Sequence, residues 1–137
     1  MIGPDDWRAR LGEFDWVILA AASTSQTPGI VGEAELKAMK PTARIANVAR
    51  GELIDQPALV RALNEDRLAG ALLDVTDPEP PPPDDPIWLA KNALLTSHSS
   101  AVSTSYQPRA AALFLDNLAR YRKGEPMKNR VDLELGY

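Results

Sequence analysis

The 137-residue chain contains one histidine, His98, and histidine is the side chain whose ordinary titration permits proton exchange near neutral pH. It sits in T-S-H-S-S, at the end of a short apolar run. Glu79 lies between Pro78 and Pro80, whose fixed torsions can hold a carboxylate in place, and a carboxylate beside an imidazole favours its charged form. Arg50 ends another apolar run just before Gly51, a position from which a guanidinium can grip a carboxylate at two points. A plainer reading stands beside each: a structural hydrogen-bonding histidine, a solvated loop acid and a salt-bridged arginine. A serine hydrolase is disfavoured because no G-x-S-x-G elbow occurs. With a single histidine, no cysteine and acids that lack calcium-loop spacing, no metal site is expected.

These groups must be positioned by residues 44–80, which run from R-I-A-N-V-A-R-G-E-L-I-D to A-L-L-D-V-T-D-P-E-P. Two parallel strands joined by one crossover helix place Arg50 and Asp74 at the same sheet edge, the carboxyl edge where open α/β folds put ligands. Ahead of this unit, residues 1–11 are polar, with a turn at Pro4-Asp5-Asp6 before a short helix. Residues 14–22, F-D-W-V-I-L-A-A-A, show no in-out alternation and predict a strand covered on both faces. Residues 23–29 predict a loop, residues 32–40 a short helix stopped by Pro41, and residues 43–49 the second strand. Asp55 caps a helix that starts at Gln56-Pro57 and runs toward Arg67 on Ala58, Leu59, Ala62 and Leu63. Residues 69–75 form the third strand.

The tract D-P-E-P-P-P-P-D-D, residues 77–85, predicts a stiff polyproline II crossing or a disordered linker. Ile87, Trp88 and Leu89 anchor its far end by burial. Residues 93–96 make a fourth strand, and residues 106–122 the longest helix, with Leu113, Phe114, Leu118 and Tyr121 on one stripe. Gly124 stops that helix, and the tail through Val131, Leu133 and Leu135 is ordered only if it docks. The fold class is α/β, a layered arrangement with a mainly parallel four-stranded sheet. No G-x-G-x-x-G and no G-x-x-x-x-G-K-[ST] loop follows any strand, so no phosphate cradle is legible.

A net charge of -4 and scattered arginines give no footprint for nucleic acid. The lack of cysteine removes disulfides and thiolate sites. No apolar run reaches about 18 residues and no basic segment with an apolar core opens the chain. A soluble, cytoplasmic protein with no membrane partner is the expectation.

Three signatures occur in a telling order: A-M-K-P-T-A-R-I-A-N-V-A-R-G at residues 38–51, A-G-A-L-L-D-V-T-D-P-E-P at 69–80 and N-A-L-L-T-S-H at 92–98. Together they resemble the C-terminal half of the nucleotide-binding domain of the D-isomer-specific 2-hydroxyacid dehydrogenases, and the likeness covers nearly the whole chain. Ala22, Lys91 and Ser97 stand where that family commonly has proline. The resemblance implies a partial Rossmann-like architecture, with residues 1–137 as the C-terminal portion of a dinucleotide-binding domain, including the C-terminal helix and tail. The first nucleotide-binding half and the substrate domain then lie outside it. It further implies reversible hydride transfer between NAD or NADP and C2 of a small 2-oxo or 2-hydroxy acid. By the same resemblance Arg50 binds the substrate, Glu79 pairs with His98, the proton donor or acceptor, and Asp74 holds the nicotinamide carboxamide. Val48 and Ala49 then lie beside the cofactor, and Thr24 and Thr27 belong to a loop that passes near it. Alone, the chain is expected to bind cofactor weakly or not at all, to be inactive, and to form a homo-oligomer. Two alternatives are a nucleotide-sensing or protein-binding regulatory module, and a structural remnant or truncated chain.

Overall fold

Four short apolar segments form one sheet: β1 (Trp16–Leu19), β2 (Arg44–Asn47), β3 (Gly70–Leu73) and β4 (Ala93–Leu95). Their spatial order is β1-β2-β3-β4 and every neighbouring pair is parallel. Leu19 aligns with Asn47, Asn47 with Leu73, and Leu73 with Leu95. The strands therefore end level, and the segments leaving them start from one edge. This computed structural model describes residues 6–133; the expected turn residues Pro4 and Asp5, and Leu135 of the tail, lie outside them. The short helix expected near the start is a 3-10 helix, Arg8–Glu13.

Helix α1 (Glu33–Ala38) joins β1 to β2, and α2 (Gln56–Asn64) joins β2 to β3. Asp55 caps α2, its Oδ1 accepting from the Ala58 N–H at 2.9 Å. Both helices pack on the same face of the sheet, where Leu36, Ile45, Leu59, Leu63 and Ile87 are fully buried. Burial of each such side chain contributes about 1.5–3 kcal/mol. The core is thus a single layer between the sheet and two helices.

The other sheet face is open, which corrects the expectation that β1 is covered on both sides. Val17 and Leu19 pack on the core, while Trp16 and Ile18, which alternate with them, are 51% and 63% exposed. The reason is that, among the described residues, no later element crosses that face. Helix α3 (Tyr106–Lys123) has no buried residue, and Phe114 and Tyr121 of its stripe lie in solvent. Gly124 ends it in the left-handed region, at φ 70. The tail docks on α3 through polar groups: Lys128 N–H donates to Asn117 Oδ1 at 2.8 Å and Lys128 Nζ pairs with Asp116 at 3.1 Å. Val131 and Leu133 stay exposed.

The proline tract is neither a polyproline II crossing nor a disordered linker. It bends through residues 77–80 and turns at residues 83–84, and the Asp77–Pro78 and Glu79–Pro80 peptide bonds are cis. Trp88 Nε1 donates to Pro82 O at 2.8 Å, as does the Asp85 N–H at 3.0 Å. Hydrogen bonds from nearby groups and from Gln56 on α2 hold the run. Of the three anchor residues, only Ile87 is buried; Trp88 and Leu89 are exposed.

Candidate active site

The site is built from the segments that leave the level ends of β2, β3 and β4. At the end of β2 the buried side chain of Asn47 folds back on the chain, its Oδ1 accepting from the Ala49 N–H at 3.0 Å and its Nδ2 donating to Arg50 O at 2.8 Å. This local brace turns the backbone out of the strand and presents Arg50. Gly51 follows where a Cβ would lie 2.0 Å from Thr76 O. Only glycine lets the exits from β2 and β3 pass this closely.

Directly after β3, Asp74 is buried and its carboxylate is bonded to the β4 exit. Its carboxylate accepts from the Thr96 hydroxyl, from Ser99 N–H at 2.9 Å and from Ser100 N–H at 2.8 Å. The Thr96 bond, then the Ser99 and Ser100 amides, hold the carboxyl well below the usual carboxylate range. His98 lies inside this grip with φ 53, the left-handed region that a non-glycine residue rarely occupies. The buried carboxylate thus fixes the turn on which the imidazole stands.

Glu79 reaches the ring from the proline tract, with Oε1 at 2.7 Å from His98 Nδ1. Both side chains are partly open to solvent. A carboxylate on Nδ1 fixes the proton there and leaves Nε2 as the nitrogen for exchange with another molecule. The pair borders a cleft of about 750 Å³ together with Asp74, Thr76, Trp88 and Ser97. Arg50 lines a neighbouring cleft of about 560 Å³ with Ala20, Ser23, Val48 and Ala49, and its Nη1 donates to Ala49 O at 2.7 Å.

The structure therefore brings Asp74, Glu79 and His98 into one cleft and sets Arg50, Val48 and Ala49 in the next. Thr24 and Thr27 bond to each other instead: the Thr24 N–H donates to Thr27 Oγ1 at 2.8 Å, and Thr27 Oγ1 donates to Ala22 O at 3.1 Å. They staple the loop after β1. Sequence reasoning missed Asn47, although an asparagine closing a buried strand is a recognisable turn signal. It gave Ser99 and Ser100 no role, because the amides that grip Asp74 belong to the backbone and leave no mark in residue type.

The arrangement offers a carboxylate-supported imidazole, a nearby guanidinium and a buried acceptor at one sheet edge. Residues 2–100 match the family described as D-isomer specific 2-hydroxyacid dehydrogenase, NAD binding domain. The chain is 40% identical over 125 residues to the glyoxylate reductase of Korarchaeum cryptofilum (strain OPF8), an alignment covering 91% of this chain and 38% of that protein. Among solved structures, a D-isomer specific 2-hydroxyacid dehydrogenase from Xanthobacter autotrophicus Py2 in complex with NADPH and MES superimposes with a TM-score of 0.89. It is 32% identical, covering 98% of this chain and 55% of that one. The NAD-complexed D-isomer specific 2-hydroxyacid dehydrogenase of Lactobacillus delbrueckii ssp. bulgaricus gives 0.80 at 29% identity, covering 92% and 42%. With the strand-end signatures, the sheet and the family match in agreement, this chain belongs to the D-isomer specific 2-hydroxyacid dehydrogenase family through its NAD-binding domain.

Proposed function

We propose that the chain is the C-terminal portion of the dinucleotide-binding domain of an oxidoreductase. That enzyme moves hydride between NAD or NADP and C2 of a small 2-oxo or 2-hydroxy acid. The observation that carries this reading is the 2.7 Å bond between His98 Nδ1 and Glu79 Oε1 at the carboxyl edge of a parallel sheet. Family membership supports it, as do the glyoxylate reductase among the relatives and the NADPH and NAD complexes among the solved structures. The chain spans 38% of the length of the Korarchaeum protein. The first nucleotide-binding half and a substrate domain complete the site from outside these residues.

The residues present fit the nicotinamide end of such a cofactor. Small side chains at Ala20, Ala21, Ala22 and Ala49 leave the second cleft open to a flat ring, and Asp74 offers a buried acceptor to a carboxamide. When bound, the dinucleotide supplies hydride. Arg50 pairs with the carboxylate of the acid and polarises its carbonyl. His98 Nε2 gives its proton to the carbonyl oxygen as C2 is reduced, and takes the hydroxyl proton in the opposite direction. Glu79 orients the ring through Nδ1, Val48 and Ala49 flank the cofactor with backbone, and Thr24 and Thr27 stiffen the loop beside it. Dinucleotide affinity is weak in the chain alone because no glycine-rich phosphate cradle is present in its sequence. The working protein is a cytoplasmic homo-oligomer.

Steady-state kinetics of the chain joined to the missing segments of a relative test this reading. His98→Gln is expected to lower kcat by about 10²–10⁴ with little change in KM. Arg50→Gln is expected to raise KM for the acid as well as lower kcat. An undiminished kcat in the His98→Gln protein overturns the assignment.

A further inference from the structure

Gln56 is the first residue of α2, yet its side chain is buried at 7% exposure. Its amide is engaged at both ends. Oε1 accepts from the Asp77 N–H at 3.1 Å, and Nε2 lies 3.4 and 3.5 Å from the two carboxylate oxygens of Asp85. The orientation is chemically determined: the NH2 end is the donor and faces a carboxylate, and the oxygen faces an N–H. Asp77 and Asp85 are the first and last residues of the proline tract, and Glu79 rides between them.

Prolines bring no N–H of their own, so this tract is held from its ends and flanks. Thr76 Oγ1 donates to Pro78 O at 3.0 Å and Trp88 Nε1 donates to Pro82 O at 2.8 Å, each pinning one point. Among the described residues, Gln56 is the side chain that ties both ends at once. It does so from α2, whose next turn, Ala58 and Leu59, is buried in the core. Asp85 passes the restraint on, because its Oδ1 also accepts from the N–H of buried Ile87 at 2.8 Å.

We infer that Gln56 is a positioning residue that clasps both ends of the proline loop to α2 and thereby holds Glu79 within hydrogen-bonding distance of His98 Nδ1. Its catalytic meaning rests on the dehydrogenase reading above, whereas its effect on the His98–Glu79 pair does not. A glutamate at the same position keeps the acceptor for Asp77 but sets a carboxylate against Asp85. The charge conflict predicts loosening by Gln56→Glu and recovery when Asp85→Asn is added, since an asparagine amide can donate to the new carboxylate while its oxygen still accepts from Ile87.

Nitrogen NMR of the sole imidazole in this 137-residue chain tests the proposal without cofactor or substrate. A free neutral imidazole favours the proton on Nε2, and a carboxylate at Nδ1 reverses that preference. The unaltered chain is expected to show the Nδ1–H tautomer at alkaline pH. Gln56→Glu and Gln56→Met, the second of similar volume but without either bond, are expected to shift it toward Nε2–H. Exchange of the Asp77 amide should rise about tenfold in both. The Gln56→Glu/Asp85→Asn chain is expected to regain the Nδ1–H form and the Asp77 protection. Unchanged tautomer and exchange in Gln56→Met, with a folded far-ultraviolet spectrum, overturn the inference, as does Gln56→Glu that Asp85→Asn fails to rescue. If Gln56→Glu does not fold, Gln56→Met decides. Because these readouts need no turnover, failure of the dehydrogenase reading leaves their outcome intact.

Discussion

A single missing methyl at Gly51 sets how near the β2 and β3 exits approach, and with them Arg50 and the proline loop. Alanine there meets Thr76 O at 2.0 Å and Thr76 C at 2.1 Å, and backbone atoms cannot swing aside. Gly51→Ala is therefore expected to destabilise the chain by about 1–3 kcal/mol, read as a lower urea midpoint. Asp74 is the second residue on which the site depends. Asp74→Ala removes the acceptor for Thr96, Ser99 and Ser100 together, so the Ser99 and Ser100 amides should exchange with solvent much faster while amides of α2 keep their protection. Unchanged exchange at Ser99 and Ser100 contradicts the role given to this carboxylate. Arg50, Asp74 and His98 were legible in the sequence because each closes or follows an apolar run, and Glu79 because prolines flank it. The contact between Glu79 and His98 was not written in spacing, since it depends on a loop bent by non-local bonds. Gln56 was hidden for the same reason: at the start of a helix it reads as an ordinary polar residue.

Elements whose boundaries depend on local chemistry were readable in advance. Asp55 caps α2 and Gly124 closes α3 in the left-handed region, because capping bonds and positive φ are properties of a few adjacent residues. Coverage of β1 and the path of the proline tract depend on what packs or bonds from a distance, and both departed from expectation. The pairing of α1 with α2 is also non-local. Glu33 on α1 accepts from Arg61 at 3.0 Å and from Arg67 at 3.3 Å, with Lys37 at 3.1 Å. The Arg61 hydrogen bond, followed by that of Lys37, pulls its carboxyl from 4.5 down to about 2. A carboxylate lowered in the folded state adds stability above its unfolded value and loses it as pH falls through the folded one. The melting temperature should fall more steeply between about pH 5 and pH 2 for the unaltered chain than for Glu33→Gln. Parallel melting curves against pH contradict the α1–α2 ion cluster as a source of acid sensitivity.

At the scale of the molecule, the described residues cover one face of the sheet and leave the other bare. Trp16 and Ile18 on the edge strand β1 present apolar surface beside its unpaired edge, and Leu94 is exposed on β4, the opposite edge strand. Surfaces of this kind favour pairing with another chain. Light scattering of the chain is expected to show dimers or larger species at micromolar concentration, reduced in an Ile18→Lys variant. A stable monomer that Ile18→Lys leaves unaltered speaks against this. Among the described residues, no helix is long and apolar enough to cross a membrane. Under the proposed function, positioning governs catalysis as well, because misplacement of a reacting group by about 1 Å can cost roughly a hundredfold in rate. NAD(P)H oxidation with glyoxylate or hydroxypyruvate should be compared for the chain alone and for the chain joined to the N-terminal segments of a relative. The expected result is no turnover above background alone, and turnover in the joined protein that His98→Gln abolishes; robust turnover by the chain alone that His98→Gln abolishes, or joined activity indifferent to His98, would contradict it.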